Sequence, residues 1–475
     1  MLNNEYHAIP IPKTMVEKEG TVSLRNASVA TKDEQLKSLV YVFEQELRTL
    51  LDAETARDNN SLAVVDLRID SAMRDSQYTI SIDASVEVAG GSYTAVANGT
   101  SLLLQLMTDS GDLPYSYIED EPDLKYRGLL LDIGRQWHSV DSIKQVIELA
   151  RFYRLSHVQL HLTDDQLFTF PLASFPHVPT PGKHYSREQM EEIVEFAHQR
   201  GVQLIPEIDL PGHSKRLNHA EPAIFTSARG EAHGKAICLG NEAVHGAVEK
   251  IIDELCDMFK YSRYVHIGCD EAQMDKFDNC PICREKMQQF EPANAESLLR
   301  NFIIRLAEIV KRNGKQPIVW EGFTADAGIE IPKDIIVVAW ESYYHLPDQL
   351  SAAGYTIINA SWQPLYATPT LGWSPEHIYG WNVRLWEHWW DNSPAKLNPI
   401  QLDDSAAVMG AQFCSWENAE KDQFEILHLR IPAMVERSWN VERRMEWQDF
   451  SRMLEALDRR AMKLLKIETQ AISSE

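Results

Sequence analysis

The chain has 475 residues, 44% of them hydrophobic and 24% charged, a composition typical of a globular protein with one large domain and a smaller one. Its formal net charge of −24 argues against nucleic acid and against anionic membranes as partners, because phosphate binding needs clustered Lys and Arg. No stretch approaches the roughly 20 apolar residues of a membrane span, and the first residues lack the apolar segment of a signal peptide. The sequence as written therefore predicts a cytoplasmic protein, or a secreted or periplasmic one if a leader has been removed.

Residues 1–122 are predicted to form a small, non-catalytic α+β domain. A helical pattern spans 33–51, strand-like runs span 61–70 and 78–90, and a second helical pattern spans about 93–107. The Gly-, Pro- and acid-rich stretch 111–123 that follows is predicted to be the boundary with the next domain.

Residues 123–445 are predicted to form an α/β fold, a (β/α)8 TIM barrel. Near-continuous hydrophobic strands that alternate with helices are what a parallel sheet covered on its outer face requires. Most of the runs precede a longer helical pattern, and one such helix begins with a capping box at 186–189. The eight short apolar runs are 129–134, 157–162, 203–209, 264–271, 317–323, 335–341, 356–362 and 410–417.

Two expectations concern the end of the chain. Residues 424–467 have a largely helical pattern, which would supply the eighth barrel helix and a helical extension over 446–475. Residues 373–402 are rich in Trp and His, interrupt the last repeat, and are too long for a plain connection. We therefore expect this segment to be a loop over the active-site face.

The cysteines and histidines do not predict a metal or a cofactor. Six cysteines are too few for a disulfide framework in so long a chain, and only Cys280-Pro-Ile-Cys283 has the spacing of a metal-ligand pair. Without a second such pair, a loop disulfide or two free thiols is favoured over zinc. Histidines near acids leave a metal-dependent hydrolase open as an alternative, although no His-x-His ends the first strand.

Carboxylates and aromatic residues dominate the predicted strand ends, where TIM barrels carry their catalytic groups. No phosphate-cradling glycine loop and no nucleophile elbow occur. Paired carboxylates catalyse glycoside hydrolysis, and tryptophan rings pack against sugar rings, so carbohydrate chemistry is the predicted class. The structural alternatives are tryptophans that belong to the core and an Asp164-Asp165 pair that caps a turn. The residues at these ends are Asp164, Asp165, Glu207, Asp209, His213, Asp270, Glu271, Trp320, Glu321, Trp340, Glu341, Trp362, Tyr366, Trp416 and Glu417.

These motifs, taken in order, resemble glycoside hydrolase family 20, the β-N-acetylhexosaminidases. The stretch 92–106 also resembles the end of that family's N-terminal α+β domain. The matching motifs are Tyr-Arg-Gly at 126–128, Leu-Asp at 131–132 with Arg135, His-Leu-Thr-Asp-Asp-Gln at 161–166, Pro-Glu-Ile-Asp-Leu-Pro-Gly-His at 206–213, His-Ile-Gly-Cys-Asp-Glu at 266–271, Val-Trp-Glu at 319–321 and two helical motifs at 430–433 and 436–439.

The resemblance implies an exo-acting, retaining hydrolase in which the substrate's own acetamido oxygen is the nucleophile. Glu271 would be the general acid and then the base, and Asp270 would hold the acetamido N–H. Tyr366 would donate a hydrogen bond to the acetamido oxygen. The partner would be a glycan or glycoconjugate that carries N-acetylglucosamine or N-acetylgalactosamine, and a homo-oligomer is left open. A catalytically silent carbohydrate-binding barrel is the alternative from another class.

The resemblance also implies a set of substrate-binding residues. Arg127 would bind sugar hydroxyls, tryptophans would line the ring and the acetyl group, and Asp164 with His213 would support the catalytic pair. The family's Tyr-x-Asp is here Tyr366-Ala367-Thr368, its Trp-x-Glu is an adjacent Trp416-Glu417, and its Arg-His-Phe/Tyr is Arg135-Gln136-Trp137. The choice between the two sugars therefore stays open. The full set is Arg127, Asp164, His213, Trp320, Trp340, Trp416 and Glu417.

Overall fold

The computed structural model of the chain describes residues 7–52, 63–226, 234–325, 328–442 and 445–467. Its strands are β1 (Thr14–Ser23), β2 (Ser28–Thr31), β3 (Val64–Ile69), β4 (Tyr78–Ile82), β5 (Val86–Gly90), β6 (Asp112–Asp120), β7 (Tyr126–Asp132), β8 (His157–His161), β9 (Gln203–Leu210), β10 (Tyr264–Gly268), β11 (Gln316–Trp320), β12 (Ile336–Ala339), β13 (Ile357–Asn359), β14 (Tyr366–Ala367), β15 (Leu385–Trp386), β16 (Ile400–Gln401) and β17 (Val408–Ser415).

Its α-helices are α1 (Lys37–Leu51), α2 (Tyr93–Leu106), α3 (Val140–Phe152), α4 (Arg187–Gln199), α5 (Lys215–Ala220), α6 (Pro222–Phe225), α7 (Glu242–Met258), α8 (Met274–Asn279), α9 (Pro281–Met287), α10 (Ala295–Arg312), α11 (Pro347–Ala352), α12 (Trp362–Leu365), α13 (Pro375–Gly380), α14 (Gln423–Leu427), α15 (Arg430–Trp439) and α16 (Trp447–Leu465). Short 3-10 turns occur at Glu34–Leu36, Pro394–Lys396 and Glu420–Asp422. No helix among the described residues is both long enough and apolar enough to cross a membrane.

The N-terminal part is a six-stranded sheet in the order β1-β6-β4-β5-β3-β2, with α1 and α2 packed on it. Both predicted helices are confirmed. The hydroxyl of Ser92 caps α2 by accepting a hydrogen bond from the amide of Ala95, and the middle of this helix is buried. The single run predicted at 78–90 is instead an antiparallel pair, β4 and β5, because Asp83 and Ser85 form a tight turn between them.

Most of the stretch 111–123, in which the domain boundary is predicted, forms a strand. Residues 112–120 form β6, which lies between β1 and β4. Buried Ser116, Ile118 and Asp120 alternate with outward-facing neighbours. This period of two is that of a β-strand, and the strand forms despite the Gly, Pro and acidic residues in the stretch. Pro114 is tolerated because β4 pairs only with the second half of β6. Domain limits at 122/123 and 445/446 stay a prediction.

The barrel closes as predicted. Strands β7 to β13 pair in parallel in chain order, and β17 pairs with both β13 and β7. All eight predicted apolar runs contribute strands, although the seventh, β13, has only three residues. Tyr366 lies further on, in the short strand β14, which pairs with the end of β17 at the mouth of the barrel. The predicted capping box of α4 is present between Ser186 and Gln189.

The segment 373–402 is only partly the predicted loop over the active-site face. Its helix α13 packs against α15 on the outside of the barrel, and Tyr379 stacks on Phe450 of α16 with ring centroids 4.1 Å apart. Strands β15 and β16 form a small antiparallel pair. The side chains that reach the mouth are His388 and Trp389, whose rings stack on Trp362 at 5.1 and 5.3 Å.

Buried polar pairs join the N-terminal sheet to the base of the barrel. Arg151 of α3 binds both carboxylate oxygens of Glu46, at 2.5 and 2.7 Å. Asp120 of β6 accepts hydrogen bonds from the Trp439 indole at 3.0 Å and from Arg154 at 3.3 Å. The base of the barrel also binds Ile11, which precedes β1. Glu436 accepts a hydrogen bond from the amide of Ile11, and Asn440 donates one to the carbonyl of Ile11.

Candidate active site

The two adjacent acids Asp270 and Glu271 follow directly after β10 and face different surroundings. The backbone turns sharply there, since Cys269 and Glu271 have positive φ angles of 82° and 44°. Asp270 turns inward, and its Oδ1 atom is buried without a hydrogen-bond partner among the described residues. The Glu271 side chain is 52% exposed. One step earlier, a Cβ atom on Gly268 would lie 1.8 Å from the Asp209 carboxylate, so only glycine fits.

His213 connects Glu271 to the acids of the neighbouring strands. Its Nε2 atom lies 3.3 Å from the Glu271 carboxylate, and its Nδ1 atom lies 3.2 Å from the Asp164 carboxylate. Burial opposes a charge on this imidazole, but Asp209, Asp164 and Glu271 outweigh it and raise the pKa of His213 well above its usual value. The imidazole is therefore a cation at neutral pH.

The two catalytic candidates have pKa values shifted in opposite directions. The hydrogen bond from His213 lowers the pKa of Glu271, whereas burial raises the pKa of Asp270. Burial, with the charge of Asp270, also raises the pKa of Asp209 well above its usual value. Neighbouring carboxyl groups whose environments separate their pKa values are typical of acid–base sites.

Glu207 organises the floor of the site, a role that was not predicted although the residue belongs to the family motif at 206–213. The carboxylate accepts hydrogen bonds from the Trp320 indole at 2.6 Å and from Gln159 at 2.8 Å. His161 lies 2.8 Å away, and its other ring nitrogen is 3.0 Å from Asp164. Glu207 thus fixes the Trp320 ring under the mouth of the barrel.

Aromatic rings form the wall opposite the acids. Trp340 and Tyr366 are nearly parallel, with centroids 6.2 Å apart, and Trp416 lies 5.9 Å from Trp320 and 6.3 Å from Tyr366. The structure thereby brings together all three predicted tryptophans and the predicted tyrosine. The indole N–H group of Trp362 has no partner among the described residues, which leaves it as a buried donor at the wall.

Two further acids, Glu321 and Glu341, follow β11 and β12. Glu321 is fully buried and accepts hydrogen bonds from the backbone amides of residues 342–345. Burial raises the pKa of Glu321 to about 7 and the pKa of Glu341 to about 8. Glu321 therefore shapes the loop after β12, while Glu341 adds a protonated carboxyl group to the wall at neutral pH.

The predicted role of Arg127 in substrate binding is wrong. Arg127 is the second residue of β7 and therefore lies at the base of the barrel, at the opposite end from the acids. It is 2% exposed, donates to the carbonyl oxygens of Leu124 and Arg154, and stacks on the Trp439 ring at 4.8 Å. The Tyr-Arg-Gly motif is present, but it begins β7 and so lies away from the mouth.

The arginine at the mouth is Arg135, which belongs to the family motif but had no predicted role. Its guanidinium lies 2.8 Å from Asp164 and 3.2 Å from Asp132, and it stacks on the Trp416 ring at 4.8 Å. Its Nε atom is 3.9 Å from Glu417, whose amide donates to Asp132. Since Arg135 follows the end of β7 by three residues, counting along the strand would have located it.

Histidine and carboxylate donors also come close enough to hold a metal ion at the mouth. Among the described residues, the groups with donor atoms within 4.8 Å of one another are His161–Glu207–Asp209, Asp164–Asp165–His213 and Asp209–His213–Asp270. In each group the imidazole already lies against carboxylates, an arrangement that suits ion pairs. These groups therefore give no specific support to a metal-dependent hydrolase.

Family models match nearly the whole chain. The catalytic domain of glycosyl hydrolase family 20 matches residues 124–442, and domain 2 of the same family matches residues 5–121. The chain belongs to glycosyl hydrolase family 20. This family 20 chain is accordingly a glycoside hydrolase.

Relatives of this family 20 enzyme have low sequence identity to it but align over most of its length. A β-hexosaminidase of Akkermansia muciniphila is 25% identical over 441 residues, covering 86% of this chain and 87% of the relative. A β-hexosaminidase of Vibrio furnissii is 26% identical over 369 residues, which are 70% of this chain but 59% of the relative. The chain thus spans most of one curated relative and little more than half of the other.

Solved structures support the fold. An exo-β-N-acetylglucosaminidase from Vibrio harveyi superposes with a TM-score of 0.82 at 20% identity, covering 98% of this chain and 78% of that one. A β-N-acetylhexosaminidase from Bacteroides fragilis superposes with a TM-score of 0.78 at 22% identity, covering 94% of both chains. The family 20 fold of an N-terminal α+β unit followed by a barrel is therefore retained here.

Proposed function

We propose that this enzyme is an exo-acting β-N-acetylhexosaminidase that removes terminal β-linked N-acetylglucosamine or N-acetylgalactosamine with retention of configuration. The observation that carries the proposal is the Asp270-Glu271 pair, in which one carboxyl group is buried and the other stands half-exposed in the mouth of the barrel. A retaining enzyme with two protein carboxyl groups needs them on opposite faces of the sugar, about 5 Å apart. Adjacent acids suit a reaction in which the substrate supplies the nucleophile.

In the first step, the acetamido oxygen of the substrate attacks the anomeric carbon and forms an oxazolinium ion. Glu271 donates its proton to the departing glycosidic oxygen as that bond breaks. Asp270 accepts a hydrogen bond from the acetamido N–H and stabilises the positive charge that develops on the ring. Water, deprotonated by Glu271, then opens the oxazolinium ion from the face that the leaving group vacated, which restores the configuration.

Substrate binding would reverse the pKa order of the two acids. Without a substrate, His213 lowers the pKa of Glu271 and burial raises that of Asp270. A sugar over the half-exposed Glu271 excludes water and raises its pKa, while the acetamido N–H gives the buried Asp270 a donor that lowers its pKa. The substrate itself therefore prepares one acid for proton donation and the other for charge stabilisation.

The aromatic wall suits one terminal sugar. Burial raises the pKa of Tyr366 well above its usual value, so its phenol stays protonated and can donate a hydrogen bond to the acetamido oxygen. Trp340 and Trp416 flank this phenol and offer flat apolar faces to the ring and the acetyl methyl group. Arg135, rather than Arg127, is the cation placed to bind sugar hydroxyls.

We assign the enzyme no preference between N-acetylglucosamine and N-acetylgalactosamine. Thr368 stands where relatives of this type often carry an acid, and its hydroxyl accepts hydrogen bonds from the amides of Thr370 and Leu371. It therefore completes its own turn and adds no charge to the mouth. Rates on the aryl glycosides of N-acetylglucosamine and N-acetylgalactosamine, measured side by side, would decide the preference.

The decisive experiment combines substrate and enzyme variants. Aryl β-glycosides with acetamido groups of decreasing basicity, made by fluorination, should react progressively more slowly, and the first-formed sugar should be the β anomer by NMR. Asp270→Asn should slow turnover of every acetamido substrate, whereas Glu271→Gln should slow poor leaving groups most. Asp278→Asn, which removes an exposed acid from α8, is the matched control.

Three outcomes would contradict the proposal. Rates that do not depend on acetamido basicity would exclude the substrate as nucleophile. Equal slowing of good and poor leaving groups by Glu271→Gln would exclude Glu271 as the general acid. Binding of the sugar without any turnover would favour the silent carbohydrate-binding barrel.

A further inference from the structure

Three buried cysteines from two different loops converge beside the catalytic strands. Cys238 lies in the segment between α6 and α7, whereas Cys280 and Cys283 flank the start of α9. The Cys238 sulfur is 3.9 Å from that of Cys280 and 3.8 Å from that of Cys283, and all three lie within 4.8 Å of one another. The sequence showed only the Cys280-Cys283 pair, because Cys238 precedes it by 42 residues.

The sulfur spacing is that of a tetrahedral metal site. A zinc–sulfur bond of about 2.3 Å places two sulfurs of a tetrahedron about 3.8 Å apart, close to the observed distances. A disulfide needs sulfurs about 2 Å apart and would leave the third thiol buried beside it. We propose that Cys238, Cys280 and Cys283 bind one Zn²⁺ ion.

The backbone brings the two cysteine-bearing segments into direct contact. A Cβ atom on Gly240 would lie 2.6 Å from the Cys283 nitrogen, so only glycine allows the two loops to approach this closely.

Cysteine binds zinc as the thiolate. Zinc must therefore displace the thiol protons when it binds, and its affinity for the three cysteines should fall as the pH falls.

The ion would tie together the two loops that carry the catalytic network. The segment before Cys238 is held to the loop of His213, since the carbonyl of Lys235 accepts from the amide of Ser214 and the amide of Ile237 donates to the carbonyl of Pro211. Cys280 closes α8, the first helix after Asp270 and Glu271. Zinc would thus position these loops without contact to the reacting atoms.

The test starts from the full-length enzyme purified without chelator. Elemental analysis should find one zinc per chain, and thiol counting after denaturation in chelator should find all six cysteines free. Replacement by Co²⁺ should give the intense sulfur-to-cobalt charge-transfer absorption in the near ultraviolet. Three results would overturn the assignment. Six free thiols without metal would mean an empty cluster, four free thiols without metal would mean a disulfide, and copper in place of zinc would mean a different ion.

Variants separate the site from general effects on folding. Cys280→Ser and Cys283→Ser should lower the zinc content at least about tenfold. Cys256→Ser, which replaces another buried cysteine on α7 outside the cluster, should keep one zinc and is the matched control. A strong chelator should lower the melting temperature of the wild type but not that of Cys280→Ser. If the cluster variants do not fold, the zinc content and cobalt spectrum of the wild type decide the question.

Discussion

His213 is expected to set the alkaline limit of turnover, and His213→Asn tests this. The variant removes the imidazolium charge 3.3 Å from the Glu271 carboxylate. Asparagine is the suitable replacement because His213 has a φ of 44°, in the left-handed region that asparagine tolerates better than most residues. Since Glu271 must be protonated to act as the general acid, activity is lost as the pH rises through its pKa.

The expected change in the Glu271 pKa follows from its distance to His213 and from the exposure of its side chain. Two unit charges 3.3 Å apart attract each other by about 1 kcal/mol in water and about 5 kcal/mol at an effective permittivity of 20. Half of the Glu271 side chain is exposed, so solvent screening favours the lower value. Because about 1.4 kcal/mol corresponds to one pKa unit, loss of the cation should raise the Glu271 pKa by about one unit.

The assay is the pH dependence of kcat/KM for a disaccharide of N-acetylglucosamine, whose sugar leaving group needs protonation. The alkaline limb of His213→Asn should move up by about one pH unit relative to the wild type. His184→Asn, which removes an exposed histidine whose ring lies against the Thr180 carbonyl, should leave the limb in place. An unchanged limb, or one that moves to lower pH, would refute the inferred coupling between His213 and Glu271.

Three further predictions concern other charged groups. Arg135→Lys should raise KM about tenfold with little change in melting temperature, because lysine cannot bridge two acids, whereas Arg127→Lys should lower the melting temperature and leave kcat/KM unchanged. Arg151→Met should cost about 3–5 kcal/mol in urea unfolding by leaving Glu46 charged and buried, and adding Glu46→Leu should restore most of it. Burial raises the pKa of Glu341 from 4.5 to about 8. The protonated group therefore stabilises the fold at low pH, and this contribution to the free energy of unfolding is lost as the pH rises between these two values. Glu341→Gln should consequently lose less melting temperature than the wild type between pH 6 and pH 8. A slope equal to that of the wild type would contradict the shifted pKa.

The barrel could be predicted because its strands are buried on both faces. Such strands appear in the sequence as unbroken apolar runs, and the residues at the C-terminal end of each run lie at the mouth. This placed Asp270 and Trp340 correctly without any structure. The N-terminal sheet was harder to predict from the sequence. Strand β6 contains Pro114 and several acids, and these residues indicate a loop more strongly than the alternation of apolar and polar residues indicates a strand.

The two errors at the site have one physical origin. A motif identifies residues but does not say at which end of a strand they lie. Asp132 follows Arg127 by five positions, and at about 3.3 Å per residue this places them roughly 17 Å apart, at opposite ends of β7. Arg135, missed for the same reason, follows the mouth end of that strand. Cys238 could not be assigned at all, because tertiary folding alone brings it to Cys280.

The contacts at the base of the barrel constrain the order in which the protein can mature during synthesis. Asp120 of the first sheet accepts from the indole of Trp439, and the backbone of Ile11 is bound by Glu436 and Asn440. The first quarter of the chain therefore cannot satisfy its buried polar groups until helix α15 has left the ribosome and packed. We expect nascent chains that stop before residue 436 to remain protease-sensitive throughout, and protection of the N-terminal sheet to appear only when that helix is complete.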